Sequence, residues 1–242
     1  MQIKGKVFCF YEQSGTFRDA FRERGIESYC YDIRNDYGKT DYIIDLFSET
    51  EKAFDGVSSI WDDVSENDLV IAFFPCIHFC QFALLYYRGE SFFTRKSTAR
   101  RKAEISIEKF NQAALFFGIL KKMESIVLDR KIRLIIENPW TMSLLWLCMR
   151  KSSVIDTNRR LKGDKYKKPT AYWFYNCEPS NGTIYEKPKE ISTIEYVEGK
   201  IKAHKGGICG KRESEISPEY AKNFISCYIL GITKEGFPLS LF

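Results

Sequence analysis

The sequence contains no apolar run near the roughly 20 residues that a membrane-spanning helix requires, so we expect no membrane partner. It has no internal repeats and no low-complexity segment. Its eight cysteines show no framework spacing, and several lie in apolar runs (Cys9, Cys30, Cys148, Cys227). This pattern favours reduced thiols and a cytoplasmic location over disulfides. Residues 1–6 lead directly into a predicted strand, so we also expect no signal peptide.

What the sequence does have is enough apolar material for a folded core. Of its 242 residues, 44% are hydrophobic and 15% are aromatic, which favours one α/β domain with a small addition. The formal net charge of +5 is mildly basic and is compatible with a polyanionic partner without identifying one.

The segment around Cys76 organises the chain. Residues 69–74 form an unbroken apolar run, which predicts a strand buried on both faces of a parallel sheet. Pro75 cannot donate to a sheet ladder, so the strand should end there and place Cys76 at its carboxyl end. Ligands bind at this edge of open α/β sheets. Cys76 is therefore a candidate nucleophile, although a buried, unreactive cysteine explains its position as well.

Residues 133–140 repeat this design, with a short apolar strand, a polar pair and a proline. The helix predicted over residues 102–126 would supply the crossover between two parallel strands, so Glu137 should emerge at the same edge as Cys76. The apolar positions expected to face the core on this helix are Ile107, Phe110, Ala114, Phe117, Leu120 and Met123.

The first 45 residues follow the pattern of a nucleotide-binding half-fold. Strands are predicted over residues 6–10, 27–31 and 42–44, with a helix over residues 17–24 that Gly25 closes. Asp32 and Asp45 follow the second and third strands, where an acid can accept hydrogen bonds from ribose hydroxyls. Either acid alone is more simply a solvated loop residue, but two at successive strand ends are a stronger signal.

With Pro75-Cys76 after the fourth strand and Glu137-Asn138 after the fifth, the chain resembles the cytosine C5-specific DNA methyltransferases. Its Asn158-Arg159-Arg160 and Lys168-Pro169-Thr170 segments resemble the small phage-type branch of that family. The likeness covers roughly residues 6–170. It implies an α/β, Rossmann-like S-adenosylmethionine-dependent methyltransferase fold. Such a fold has a mostly parallel sheet, helices on both faces and, here, a small loop-rich C-terminal insertion.

The resemblance implies S-adenosylmethionine as the cofactor. The residues expected to bind it are Tyr11, Gly15, Thr16, Phe17, Asp32, Ile33, Asp45 and Pro75. Asp32 matches the family's ribose-binding acid, Ile33 the apolar residue beside the adenine, and Asp45 the acid near the adenine amine. The family's first turn is rich in glycine, which lets the backbone approach a ligand closely, whereas this chain has Gln13 and Thr16 at two of those positions.

The catalytic residues implied by the resemblance are Cys76, Glu137, Arg159 and Arg160. Cytosine C5 becomes nucleophilic only after a thiolate has added to C6, which is the role expected of Cys76. Glu137 would stabilise the charge that develops at N3. The two arginines match a region with which larger relatives contact the target cytosine. The base must leave the helical stack, because a thiol cannot reach it inside a duplex.

Three parts are expected along the chain. Residues 1–155 form the catalytic and cofactor-binding core, residues 156–215 a small DNA-contacting, target-recognition insertion, and residues 216–242 a C-terminal helix that packs back on the core. Ser217 and Pro218 mark the start of that helix, and residues 142–149 predict another short one. A basic cluster before the long helix could hold phosphates, or could be a solvated face: Arg95, Lys96, Arg100, Arg101 and Lys102. The expected partner is double-stranded DNA bound by a monomer, with no metal.

Three other site chemistries fit less well. A zinc deaminase needs Pro-Cys-x-x-Cys and His-x-Glu, but Cys80 lies four positions after Cys76, and neither His78 nor His204 precedes a suitably placed glutamate. A structural metal site would match no familiar ligand spacing if it were built from Cys76, His78, Cys80 and Cys209. A Cys–His hydrolase would require the strand to continue through the proline before Cys76.

Two alternatives to a DNA methyltransferase stay open. The first is a catalytically silent, methyltransferase-like module that binds nucleic acid, which the glycine-poor first turn favours. The second is a C5-methyltransferase that acts on a free cytosine nucleotide, which the short chain permits.

Overall fold

The structure is a computed structural model that describes residues 1–140, 149–183 and 216–233. Its strands and helices, in chain order, are β1 (Val7–Phe10), α1 (Thr16–Arg22), β2 (Ser28–Asp32), β3 (Tyr42–Ile43), α2 (Leu46–Phe54), β4 (Leu69–Phe73), α3 (Gln81–Tyr87), α4 (Ala99–Arg130), β5 (Arg133–Pro139), β6 (Val154–Asp156), β7 (Thr170–Tyr175) and α5 (Pro218–Phe224). Short 3₁₀ turns cover Ile60–Asp63 and Arg159–Lys162, and α5 continues as π-helical turns over Ile225–Leu230.

The seven strands form one sheet in the order β3-β2-β1-β4-β5-β7-β6. The strands from β3 to β5 are parallel, and β7 runs antiparallel to both of its neighbours. The predicted α/β class and mostly parallel sheet are therefore confirmed. The chain order reverses between β1 and β4, and the carboxyl ends of strands at such a switch point border the crevice in which ligands bind.

Helices cover both faces of the sheet. Alternate residues of each strand point to opposite faces, so one strand contributes side chains to two apolar clusters. On β1, Phe8 and Phe10 join the apolar cluster under α2 and α4, whereas Val7 and Cys9 join the cluster under α1 and α5. The C-terminal helix starts as predicted, since Ser217 caps it by accepting a hydrogen bond from the Tyr220 N–H at 3.3 Å.

β5 extends further than the sequence indicated. It continues past Glu137 to Pro139 because β7 pairs with its last residues: Glu137 lies opposite Tyr172, and Pro139 opposite Thr170. Glu137 therefore lies within the strand rather than just beyond it. An antiparallel partner that comes more than 30 residues later in the chain leaves no local signal of this extension.

The predicted core face of α4 is wrong over its first half. Ile107 and Phe110 are 62% and 53% exposed, and Ala114 is also exposed, whereas Leu120 and Met123 are buried as expected. With 32 residues the helix is about 48 Å long, while strands of five to seven residues span only about 17–23 Å. Its amino-terminal half therefore extends past the sheet, and no residue from 99 to 112 is buried.

All six cysteines of the described ranges are free thiols. Within the same ranges, no helix is both long and apolar enough to cross a membrane. The helix predicted over residues 142–149 falls almost wholly outside the described residues, and so does most of the loop-rich stretch predicted over about residues 177–215. Cys148 and Cys209 also lie outside the described residues.

Candidate active site at the carboxyl edge of the sheet

The backbone turns directly after Pro75, as its missing N–H predicts. The carbonyl oxygen of Cys76 accepts hydrogen bonds from the N–H groups of Phe79 and Cys80, at 2.9 and 3.0 Å. This single helical turn places the half-buried Cys76 just past the end of β4. On the neighbouring strand β5, Glu137 pairs with Phe73, the last residue of β4. The thiol and the carboxyl group thus lie at one edge of two adjacent parallel strands.

Burial dominates the acidity of both groups. It raises the pKa of the Cys76 thiol to about 11, with Lys168 opposing the rise and Glu137 adding to it. Burial also raises the pKa of the Glu137 carboxyl, against the opposing charges of Lys168 and Arg159. Without a ligand, the thiol is therefore protonated at neutral pH, and the carboxyl is biased towards its protonated form.

Lys168 is the cation whose charge acts on both groups, and no catalytic role was predicted for it from the sequence. It precedes Pro169, whose carbonyl oxygen accepts a 2.9 Å hydrogen bond from the Trp140 N–H just after β5. That bond holds the start of β7 against the end of β5. In the sequence, Lys168 is only a lysine followed by a proline and a predicted strand. Its position at this edge becomes clear once β7 is known to pair antiparallel with β5.

The two arginines of the 3₁₀ turn have different surroundings. Arg159 is fully buried, forms an ion pair with Asp164, and its guanidinium lies 4.6 Å from the centre of the Tyr220 ring. Its positive charge also opposes the rise in the pKa of Glu137 that burial causes. Arg160 is exposed and is joined to the turn through its backbone N–H, which donates to the Asn158 side chain at 3.2 Å. The structure therefore brings Arg159 to the candidate site and turns Arg160 towards solvent.

A buried hydrogen-bond network includes Tyr220, the residue whose ring contacts the Arg159 guanidinium. The hydroxyl groups of Tyr172 and Tyr220 are 2.9 Å apart, and Tyr220 donates to the Asp156 carboxylate at 2.7 Å. Lys162 completes the network with a 2.7 Å ion pair to the other oxygen of Asp156. These contacts join β6, β7, the 3₁₀ turn and α5, and sequence reasoning did not identify them.

A second group of polar residues surrounds the turn after β1. Gly15 adopts a left-handed conformation with φ of 71°, and a Cβ atom there would lie 2.6 Å from Nη2 of Arg18. The buried Glu12 accepts hydrogen bonds from the N–H groups of Phe17 and Arg18 at 2.7 and 3.3 Å, and from the Cys30 thiol at 3.2 Å. Burial raises the pKa of Glu12, and these donors oppose that rise.

Glu12 was missed in the sequence, although an acid shortly before an amphipathic helix is a recognisable capping signal. In the structure its carboxylate closes the amino terminus of α1. The turn therefore does not depend on glycine at every position, and Thr16 fits there with its hydroxyl 2.8 Å from that of Ser14.

Tyr11 and the two acids converge at the ends of the first three strands. The Tyr11 ring packs against Phe74, with ring centroids 5.4 Å apart, and its pKa is raised mainly by burial and further by the charges of Asp45 and Asp32. Asp32 is buried and accepts a hydrogen bond from the Arg34 N–H at 2.8 Å. Burial raises the pKa of its carboxyl group, against the hydrogen bonds from the backbone of Arg34 and Ile33.

The other residues expected to bind the cofactor have varied positions. Ile33 is 61% exposed directly beside Asp32, and Pro75 is half-buried. Asp45 is exposed and caps α2 by accepting the Phe47 N–H at 3.0 Å. The Phe17 ring lies in the core, 4.7 Å from that of Phe73, so only its backbone belongs to the turn.

His78 follows Cys76 by two residues, and its side chain is buried. Its ring packs edge-on against Phe116 with centroids 4.6 Å apart, and burial, with help from Lys109, lowers its pKa. Among the described residues there is no cluster of three or more histidine, cysteine or acidic side chains that could hold a metal ion.

No protein-family model matches this chain, and a search of curated proteins finds no similar sequence. The fold class follows from the sheet: this is an α/β protein with a Rossmann-like, mostly parallel sheet. Its switch-point edge carries a thiol, a buried carboxyl group, a lysine and two further acids.

Proposed function

We propose that the protein is a DNA cytosine-5-methyltransferase that uses S-adenosylmethionine and forms a covalent bond between Cys76 and C6 of a flipped cytosine. The observation that carries this proposal is the register of β4 and β5. It places the turn that begins at Cys76 beside Glu137, so that each group lies within the electrostatic range of the other.

The raised pKa of Glu137 matches its role at the start of the reaction, whereas the raised pKa of Cys76 opposes formation of the thiolate that must attack. Glu137 in its protonated form can donate to N3 of cytosine, so that the ring accepts electrons when the Cys76 sulfur adds to C6. The thiol proton must leave first, and the Lys168 charge stabilises the thiolate that forms. Once C5 has received the methyl group that the cofactor would supply, transfer of the C5 proton to solvent and cleavage of the S–C6 bond would restore the aromatic ring and release Cys76 as a thiolate, and the N3 proton would return to Glu137.

The edge near β1 and β2 suits S-adenosylmethionine, which would supply the methyl group. The Asp32 carboxylate can accept a hydrogen bond from a ribose hydroxyl, and the exposed Ile33 offers an apolar surface for an adenine ring. A dinucleotide would place its pyrophosphate at the amino terminus of α1. There the Glu12 carboxylate already occupies the first amides, which favours a cofactor without phosphates.

The buried Arg159 has a supporting role in this proposal, because its charge acts on Glu137 while its ion pair with Asp164 fixes its position. Arg160 and Lys167 are exposed, and in this proposal they bind DNA phosphates. The glycine-poor first turn favours a second candidate, a module that binds nucleic acid without transferring a methyl group.

The test is transfer of a labelled methyl group from S-adenosylmethionine to DNA, followed by trapping on DNA that contains 5-fluorocytosine. The protein should methylate cytosine and form a covalent complex, because fluorine cannot leave C5 as a proton does. Cys76→Ala should abolish both results, and Cys80→Ala, which alters a half-buried thiol one helical turn away, should retain them.

Methylation by Cys76→Ala would exclude the covalent mechanism. DNA binding without any transfer would support the silent module, and transfer to free cytosine nucleotides but not to DNA would change the substrate.

A further inference from the structure

Two adjacent phenylalanine rings project into solvent between α3 and α4. Phe92 and Phe93 are 73% and 75% exposed, and their rings lie edge to face with centroids 5.6 Å apart. The turn that carries them is anchored. Ser91 and Thr94 on either side are buried, their hydroxyls are 2.8 Å apart, and the Thr94 N–H donates to the Ser91 carbonyl at 3.0 Å. The rings are thus held in place and left uncovered by the described residues.

The same stretch of chain holds most of the protein's excess positive charge. Residues 88–104 contain six cationic and two anionic side chains, against a net charge of +5 for all 242 residues. The guanidinium of Arg95 lies 4.8 Å from the centre of the Phe92 ring. Arg100 and Arg101 share the one carboxylate of Glu104, at 3.1 and 3.3 Å, so this pair keeps a net positive charge.

We infer that Phe92, Phe93 and the basic side chains beside them form a nucleic-acid-binding surface, which takes unstacked bases on the rings and phosphates on the arginines. Base–aromatic stacking combined with cationic contacts is how proteins hold single strands without sequence preference. Four of the six cations are arginines, whose planar guanidinium can stack on a ring and still donate to a phosphate through its edge. That geometry favours nucleic acid over an anionic membrane.

The surface is built on the same structural unit as the candidate nucleophile. Tyr87, the last residue of α3, donates a 3.0 Å hydrogen bond to the carbonyl oxygen of His78 in the turn that follows Cys76. The inference does not require methyl transfer, because stacking and phosphate contacts need no cytosine.

Binding of a fluorescein-labelled oligothymidine to the full chain, measured by anisotropy, tests this surface. The double variant Phe92→Ala/Phe93→Ala should bind at least about fivefold more weakly than the parent, because it loses a stacked base. Phe54→Ala is the matched control, because Phe54 is 50% exposed and also lies under a cation, with Lys122 Nζ 5.6 Å from its ring. The control should bind within about twofold of the parent.

Two further probes separate stacking from charge alone. An abasic oligonucleotide of equal length should bind the parent less tightly than oligothymidine, and the double variant should not distinguish the two. Phe93→Trp should retain affinity, and its indole fluorescence should be quenched by oligothymidine.

Equal binding by the parent and the double variant would overturn the inference. So would a double variant that keeps its oligothymidine affinity and loses only its binding to vesicles of anionic lipid, which would assign the surface to a membrane. Oligothymidine contains no cytosine, so its binding can be measured whether or not the protein transfers methyl groups. Failure of the proposed function and failure of this inference are therefore distinguishable.

Discussion

The side-chain amide of Asn138 donates a 2.9 Å hydrogen bond to the backbone carbonyl of Phe74, so a side chain as well as the sheet ladder joins the ends of β5 and β4. Asn138 is fully buried, and within the described ranges its Oδ1 atom has no hydrogen-bond partner. Leaving a buried acceptor unpaired costs about 1–3 kcal/mol. Asn138 therefore helps to fix the spacing between Glu137 and the Cys76 turn.

Replacing Glu137 by glutamine should lower the methylation rate by about 10²–10⁴-fold, because the amide keeps the shape of the acid but cannot share its proton with N3. The affinity for S-adenosylmethionine, measured by calorimetry, should stay near that of the parent. Glu137 lies on β5 and Asp32 on β2, and two strands separate them. A normal rate in this variant would make the acid structural.

Removing the charge of Lys168 should raise the pKa of Cys76 above about 11, because the cation stabilises the thiolate. At any fixed pH below that value, less thiolate is then present, so alkylation of Cys76 by iodoacetamide should be slower in Lys168→Ala. Mass spectrometry of the Cys76 peptide across a pH series measures this shift. Lys168→Arg should restore the parent profile, and the exposed neighbour Lys167→Ala should leave it unchanged. Identical profiles for the alanine variants would show that Lys168 does not act on the thiol.

The two neighbouring arginines provide a matched test of stability. Arg159→Ala leaves the buried Asp164 without its cation and should lower the free energy of unfolding by about 3–5 kcal/mol. Arg160→Ala, at an exposed position, should change it by less than about 0.5 kcal/mol. Urea denaturation of both variants measures the difference, and similar midpoints would show that the buried ion pair contributes little.

The acids at the ends of β2 and β3 should separate into a ligand role and a structural role. Asp32→Ala should weaken binding of S-adenosylmethionine through loss of the ribose contact. Asp45→Ala should remove the cap of α2 and cost about 1 kcal/mol of folding stability. Calorimetry and urea denaturation of each variant distinguish the two effects. Unchanged cofactor affinity in Asp32→Ala would remove that residue from the site.

Local chemistry made the central strands predictable from sequence. An apolar run and a proline without an N–H determine where β4 ends, and the same pattern located β5, so Cys76 and Glu137 could be assigned to one edge. Lys168 could not be assigned to that edge, because its position depends on the antiparallel pairing of β7 with β5.

Two other features show what periodicity leaves out. The apolar spacing along α4 correctly indicated a helix, but it could not indicate where the sheet beneath that helix ends. Glu12 was overlooked because its capping role depends on the path of the turn between β1 and α1 rather than on its nearest neighbours.

The length of α4 has a consequence for how its backbone opens. Amides near Leu120 and Met123 are covered by the core, so their hydrogen exchange reports on unfolding of the whole domain. Amides from Ala99 to Gln112 lack that cover and can exchange through local opening of single turns. We therefore expect one continuous helix to join a slowly exchanging half to a more rapidly exchanging half. The Phe92–Phe93 pair lies at the rapidly exchanging end, where a bound strand would slow exchange without altering the stability of the sheet.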